Sequence, residues 1–199
     1  MKKSTLTFVL LLTLATFGFS QTVKMQVYSE ILKQKIVSIG GDYCNANYTN
    51  SAWDAVGEAT LREFRPGYVR VALPLQFQRL KYEEYKGAKL LQNPTVISLL
   101  EAMKRMKTEF GVYNFTVSVW RVANELVENP EKDSQRHIKH DKYNEVIDML
   151  EAFFLEAKNK YGVEVDYFSF NESDGGWQRM MSPEETFQFF NLAGEQFQK

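Results

Sequence analysis

Short β-branched or aromatic runs alternate with longer stretches of helical periodicity four times along this chain. That order implies an α/β architecture with a parallel sheet, because parallel neighbours need a crossover long enough to hold a helix. Residues 35–40 read as a first strand stopped by Gly40-Gly41. Ser51, with Asp54 three residues on, opens a helix through Val56, Ala59 and Leu61 that Pro66-Gly67 ends. Residues 68–73 form the second strand, closed by Pro74, which has no amide hydrogen for a ladder. Asn93-Pro94 predicts the cap and first turn of a helix through Val96, Ile97, Leu100, Met103, Met106 and Phe110, stopped by Gly111.

The third strand is expected over residues 115–120. A charged stretch at 128–141 follows and reads as an exposed loop, with His137 and His140 as surface residues. A helix over 142–160 turns Val146, Ile147, Leu150, Phe153, Phe154 and Ala157 inward, and residues 163–170 form the fourth strand. Ser182-Pro183-Glu184-Glu185 is a capping box with proline at its first helical position, launching a helix that still runs at Lys199.

The first twenty residues stand apart from this pattern. Lys2 and Lys3 precede an apolar run at 6–17, and Gly18 and Ser20 put small residues before Gln21, the pattern of a signal peptide. The run is shorter than the ~20 apolar residues a spanning helix needs, so residues 21–199 are expected as one exported domain, periplasmic or extracellular, with no membrane span. With 24 Lys and Arg against 25 Asp and Glu, the chain has no basic excess to hold nucleic acid. Cys44 has no partner for an internal disulfide, and two histidines are too few for a multi-histidine metal site. No metal or cofactor is expected.

Two architectures fit four βα units. A doubly wound sheet normally carries a glycine-rich phosphate loop after its first strand, but the segment from Ile39 to Asn50 contains neither GxGxxG nor GxxxxGK[ST]. A (β/α)8 barrel needs about 250 residues, so the 199 here would supply its first four units.

The chemistry concentrates at strand ends. Asn171 and Glu172 follow the aromatic run Tyr167-Phe168-Ser169-Phe170, at the carboxyl edge where barrel enzymes hold their reactive groups. Phe168, Phe170 and Trp177 nearby disfavour an ionised Glu172, raising its pKa toward what a general acid needs. Arg70 lies inside the second strand, and its permanent charge predicts a carboxylate on a neighbouring strand. Trp120 ends the third strand, and with Trp53, Trp177 and Tyr43 it offers flat faces suited to sugar rings. Asp42, after the first strand, can meet polar groups of a ligand at the same edge.

Taken together, Asn171-Glu172 after strand four, Arg70 in strand two, the Gly40-Gly41-Asp42-Tyr43 turn and Trp120 resemble the clan A retaining glycoside hydrolases. They are most similar to the family 30 group of glucosylceramidases and xylanases and to its family 5 relatives. The resemblance spans nearly all of residues 21–199 at the level of motif order, with Ser173 where the family's Asn-Glu-Pro triplet has proline. It implies a TIM (β/α)8 barrel acting on a poly- or oligosaccharide. Glu172 would be the general acid/base, Asn171 the partner of the sugar 2-hydroxyl and Arg70 the support of the nucleophile. That nucleophile comes from strand seven in the family, so these four units are expected to be an amino-terminal half, inactive alone. Two alternatives stay open: a carbohydrate-binding or cell-surface protein that pairs with a second half-barrel or a second copy, and a small enzyme using Asp42 with Glu172.

Overall fold

Val69, Val71 and Leu73 alternate along one strand with Tyr68, Arg70 and Ala72, and this period of two sorts the sheet into two unlike faces. The computed structural model describes residues 38–43, 55–73, 81–119, 122–132, 136–170 and 181–198. Strands β1 (Gly40–Asp42), β2 (Tyr68–Leu73), β3 (Asn114–Val119) and β4 (Tyr167–Phe170) form a parallel sheet in the order β1-β2-β3-β4. Among the described strands the order never reverses, whereas a doubly wound sheet reverses at its switch point. Each crossover advances one strand in the same direction, and right-handed connections of that kind lay their helices on one face.

Register identifies that face. Val71 pairs with Val117 and Val117 with Phe168; Leu73 pairs with Val119 and Val119 with Phe170. These rows join the core, packed against α1 (Ala55–Phe64), α3 (Pro94–Phe110), α4 (Tyr143–Asn159) and α5 (Pro183–Phe197). Ring contacts show the packing directly: Phe168 lies 6.0 Å from Phe154 of α4 and 4.9 Å from Phe190 of α5, and Phe170 meets Phe189 edge-on at 5.0 Å. The opposite face carries Asp42, Arg70, Thr116 and Tyr167 in one row and Ala72, Ser118 and Ser169 in the next.

Local chemistry sets most helix ends. The Asn93 side chain accepts from the Thr95 amide at 2.9 Å, Pro94 opens α3, and Gly111 closes it in the left-handed region at φ 76°. Ser182 and Glu185 exchange reciprocal capping bonds at the start of α5, which ends at Phe197 rather than running to Lys199. A short helix α2 (Tyr82–Tyr85) and a 3-10 turn (Gly87–Gln92) lie between β2 and α3, where no element was expected.

Two strands differ from the sequence expectation. The first forms at 40–42, and residues 35–37 of the expected strand lie outside the described residues. Gly40 faces Tyr68 so closely that a β-carbon there would overlap the Tyr68 carbonyl, so the glycine admits a neighbouring strand instead of stopping one. The fourth strand begins at Tyr167, not at residue 163. Gly162 sits at φ 67° and the Val163 amide returns to the Ala157 carbonyl, closing α4, while the Asp166 carboxylate takes the Phe115 amide at 2.8 Å. The Asp166 amide also donates to the Phe115 carbonyl at 3.0 Å, so contact with β3 begins at Asp166 and the register pairs follow from Tyr167.

Phe153 is wholly buried and Leu155, two residues on, is 51% exposed, so the same truncation tests the helix-to-sheet packing at two depths. Phe153→Ala is expected to cost about 3–5 kcal/mol in urea unfolding, and Leu155→Ala within about 0.5 kcal/mol of zero.

Candidate functional site

Parallel strands deliver their carboxyl ends to one edge of the sheet, and the candidate residues follow those ends. Val119 and Phe170, the last residues of β3 and β4, are register partners. Trp120, Asn171, Glu172 and Trp177, which come after them in sequence, lie outside the described residues, as do Trp53 and Cys44. The described residues build the polar face on which Arg70 lies.

Arg70 is held from both sides. Its Nη1 donates to Asp42 Oδ2 at 3.4 Å across β1, and its Nη2 donates to Ser118 Oγ at 3.0 Å across β3. The carboxylate expected beside this arginine is therefore Asp42, which lies inside β1 and not in a turn after it. Ser118 is fully buried and Thr116 is 7% exposed, whereas half of the Asp42 side chain faces solvent. Coulomb attraction to a half-exposed carboxylate is screened, so the buried hydroxyl contributes at least as much to fixing the guanidinium as the ion pair does. Tyr43 continues the contact: its amide donates to the Arg70 carbonyl at 2.7 Å, its ring packs on the core, and burial pushes its phenol pKa up.

Neither Thr116 nor Ser118 was singled out from sequence. The signal was present in Phe115-Thr116-Val117-Ser118-Val119, where hydroxyls alternate with apolar residues. Only register with β2 shows that those hydroxyls share the face of Arg70.

The stretch at 128–141 departs from the expected exposed loop. Arg136 is 3% exposed and Ile138 is buried, with Val127 and Ile138 bridged in antiparallel fashion. Arg136 donates to the Asn124 side-chain oxygen at 2.8 Å and to the carbonyls of Pro130 at 2.6 Å and Val122 at 3.3 Å, so one guanidinium ties the segment onto the chain leaving β3. Satisfying that charge requires folding the backbone carbonyls around it. His137, expected on the surface, is partly buried and meets Glu185 at 2.9 Å, which joins the β3–α4 connection to the start of α5. His140 does lie exposed, with its ring 4.9 Å from that of Tyr143.

Burial raises the Glu185 pKa, but the Ser182 amide and His137 outweigh it and hold the carboxyl below its ordinary value. Tyr143, beside it, is pushed up by burial and by the Glu185 charge. Tyr82 of α2 reaches about 12 through burial and the charges of Asp148, Glu145 and Glu83. Among the described residues no three His, Cys, Asp or Glu side chains group to hold a metal ion, and no helix is long and apolar enough to cross a membrane.

Ser118→Ala removes one acceptor of the Arg70 guanidinium and should cost about 1–3 kcal/mol in urea unfolding, against at most about 1 kcal/mol for Asp42→Asn at its half-exposed position. The Glu185 pKa is lowered by folding, so its contribution is present above the ordinary glutamate value of 4.5 and is lost as pH falls through the folded value. Glu185→Gln should therefore flatten the acid-side loss of stability, read as unfolding midpoints from about pH 5 to pH 3.

No family model matches the chain, and no curated protein does. The crystal structure of SrfJ from Salmonella typhimurium aligns with it at a TM-score of 0.51 and 16% sequence identity, over 78% of this chain and 39% of that one. The chain thus spans well under half the length of that protein. At this identity the likeness is one of fold: strands and helices in the same parallel α/β arrangement.

Proposed function

We propose that these residues form the first four βα units of a (β/α)8 barrel in an exported retaining glycoside hydrolase of the clan A type, acting on a poly- or oligosaccharide. The observation that carries this reading is the polar row Asp42–Arg70–Thr116 with Ser118 beside it, on the sheet face opposite the Val71–Val117–Phe168 row that joins the core. In a barrel that face is the interior, and strands in sequential order with helices outside are its repeating unit. The fold-level likeness to SrfJ over 39% of its length suits a reading in which further units complete the protein.

On this reading Glu172 protonates the glycosidic oxygen as its bond to the anomeric carbon breaks, then takes a proton from the water that releases the sugar. Asn171 holds the sugar 2-hydroxyl, and Trp120, Trp177, Tyr43 and Asp42 line the ring-binding edge. Arg70, already fixed by Asp42 and Ser118, presents its charge from the interior toward the second carboxylate. Retention needs that carboxylate about 5–5.5 Å from Glu172, as the group that attacks the anomeric carbon. The resembled family takes it from a seventh strand, so the four units here supply protonation and sugar binding, while attack belongs to the rest of the barrel.

Binding is tested on the chain itself. With three tryptophans, two of them assigned to the sugar edge, intrinsic fluorescence should shift on titration with β-linked gluco- or xylo-oligosaccharides, and Trp120→Phe should weaken that response. No change with any oligosaccharide of such a panel contradicts the reading. Turnover is tested on a barrel completed by strands that carry the second carboxyl. There Glu172→Gln should slow glycosides with poor leaving groups about 10²–10⁴-fold and 2,4-dinitrophenyl glycosides far less. Equal losses on both would assign the side chain to structure rather than to proton transfer.

A further inference from the structure

The amino ends of β1, β2 and β3 open onto a cavity of about 380 Å³, lined by Ser38, Ile39, Phe64, Arg65, Gly67 and Tyr113. Its floor is backbone already bonded across the strands. The Gly67 amide donates to the Ile39 carbonyl at 3.1 Å, and the Gly67 carbonyl accepts from the amides of Tyr113 at 3.2 Å and Asn114 at 3.0 Å. The walls are apolar, with Ile39, Phe64 and Tyr113 each more than half exposed. Two hydroxyls converge over Gly67. A β-carbon on that glycine would stand 2.6 Å from Tyr113 Oη and 2.7 Å from Ser38 Oγ, so the missing side chain lets both oxygens reach one ligand group.

Arg65 brings the charge. It stands at φ 47° just past the end of α1, in the left-handed region where glycine would close the helix without strain. Its Nε donates to the Arg62 carbonyl at 3.4 Å, and among the described residues no carboxylate lines the cavity or pairs with its guanidinium. Arg62 and Arg105 differ, being held by Glu58 and Glu109.

We propose that this cavity binds a small apolar carboxylate, an aromatic or short aliphatic acid. The Arg65 guanidinium and the hydroxyls of Ser38 and Tyr113 take its carboxylate, while Ile39, Phe64 and the Tyr113 ring enclose its apolar part. A cation with no opposing carboxylate in the lining sets the sign of the ligand charge, and the planar guanidinium fork matches the two oxygens of a carboxylate. One guanidinium among apolar walls suits a single negative charge on an apolar body, and the volume lies in the range of small-ligand sites. The cavity sits at the opposite ends of the strands from the proposed sugar edge, so the two are occupied independently.

Nuclear magnetic resonance of the amide-labelled chain, titrated with 1-naphthoate, phenylacetate and hexanoate, tests this. At least one of these acids should give saturable shifts at the amides of Ile39, Gly67 and Tyr113, with Val119 at the far end of β3 unmoved. Arg65→Gly suits the left-handed backbone at that position, and it should weaken the binding about 10–100-fold through loss of a charged hydrogen-bond donor. The uncharged 1-naphthylmethanol should likewise bind the unmodified chain far more weakly than 1-naphthoate. Absence of saturable shifts at the cavity with all three acids overturns the proposal, as does binding that Arg65→Gly leaves unchanged. Should that variant fail to fold, the comparison of acid and alcohol on the unmodified chain still decides, because equal binding of the two removes the role of the guanidinium.

Discussion

A guanidinium set into a parallel sheet keeps its charge at every physiological pH, so the strands beside it must supply oxygen atoms. Arg70 sits at the second position inward from the start of its own row, and the two strands that flank β2 each provide one acceptor, Asp42 and Ser118. Those acceptors only reach it in the observed register. A one-residue slip of β3 would carry Ser118 to the helix face and put Val117 or Val119 against the charge. The same slip would expose Phe115 and the valines that the helices cover. Polar and apolar faces thus enforce one register together.

The helix layer supplies most of the favourable free energy and the polar face supplies its orientation. Phe115, Phe153, Phe189, Leu99, Leu100 and Met103 are essentially buried, and each such side chain contributes roughly 1.5–3 kcal/mol of transfer free energy. Nothing in that apolar packing distinguishes one sheet edge from another. On the polar face one residue of each strand joins a row across the sheet, from Asp42 at the end of β1 to Tyr167 at the start of β4, and β3 and β4 end at the carboxyl edge with Val119 and Phe170. Arg136, buried under the connection after β3, and the His137–Glu185 contact between that connection and α5 fix the segments around the same edge. A glycoside hydrolase barrel uses such an edge for sugar, which is why the proposed function draws on this geometry and not on the core.

Elements whose signals are local were legible in the sequence. Asn93-Pro94, Gly111 and the Ser182–Glu185 box act within one helical turn, and the structure places caps at all of them. That a carboxylate on a neighbouring strand meets Arg70 follows from charge alone, whereas the strand order and the identity of that carboxylate, Asp42, come from the register. What stayed hidden depends on residues far apart in sequence. Gly40 reads as a stop until Tyr68 is beside it, Asp166 reads as strand until its carboxylate is seen on the Phe115 amide of β3, and the polar stretch around Arg136 looks solvated until three oxygen acceptors close over it. His137 and Glu185 are separated by 48 positions, and no pattern in either segment announces their contact. The residues assigned to proton transfer and to most of the sugar contact, Glu172, Asn171, Trp120 and Trp177, rest on motif and strand position, and lie outside the described residues.

On the proposed function the face bearing Arg70, and not the helix layer, meets a carbohydrate. Nuclear magnetic resonance of the chain labelled at arginine side chains and backbone amides, titrated with xylo- and gluco-oligosaccharides, addresses it most directly. Saturable shifts are predicted at the Arg70 guanidinium and at the amides of Asp42, Tyr43 and Val119, with the outward helix residues unmoved. Shifts confined to the helices, or an Arg70 signal indifferent to every sugar while others bind, would contradict it.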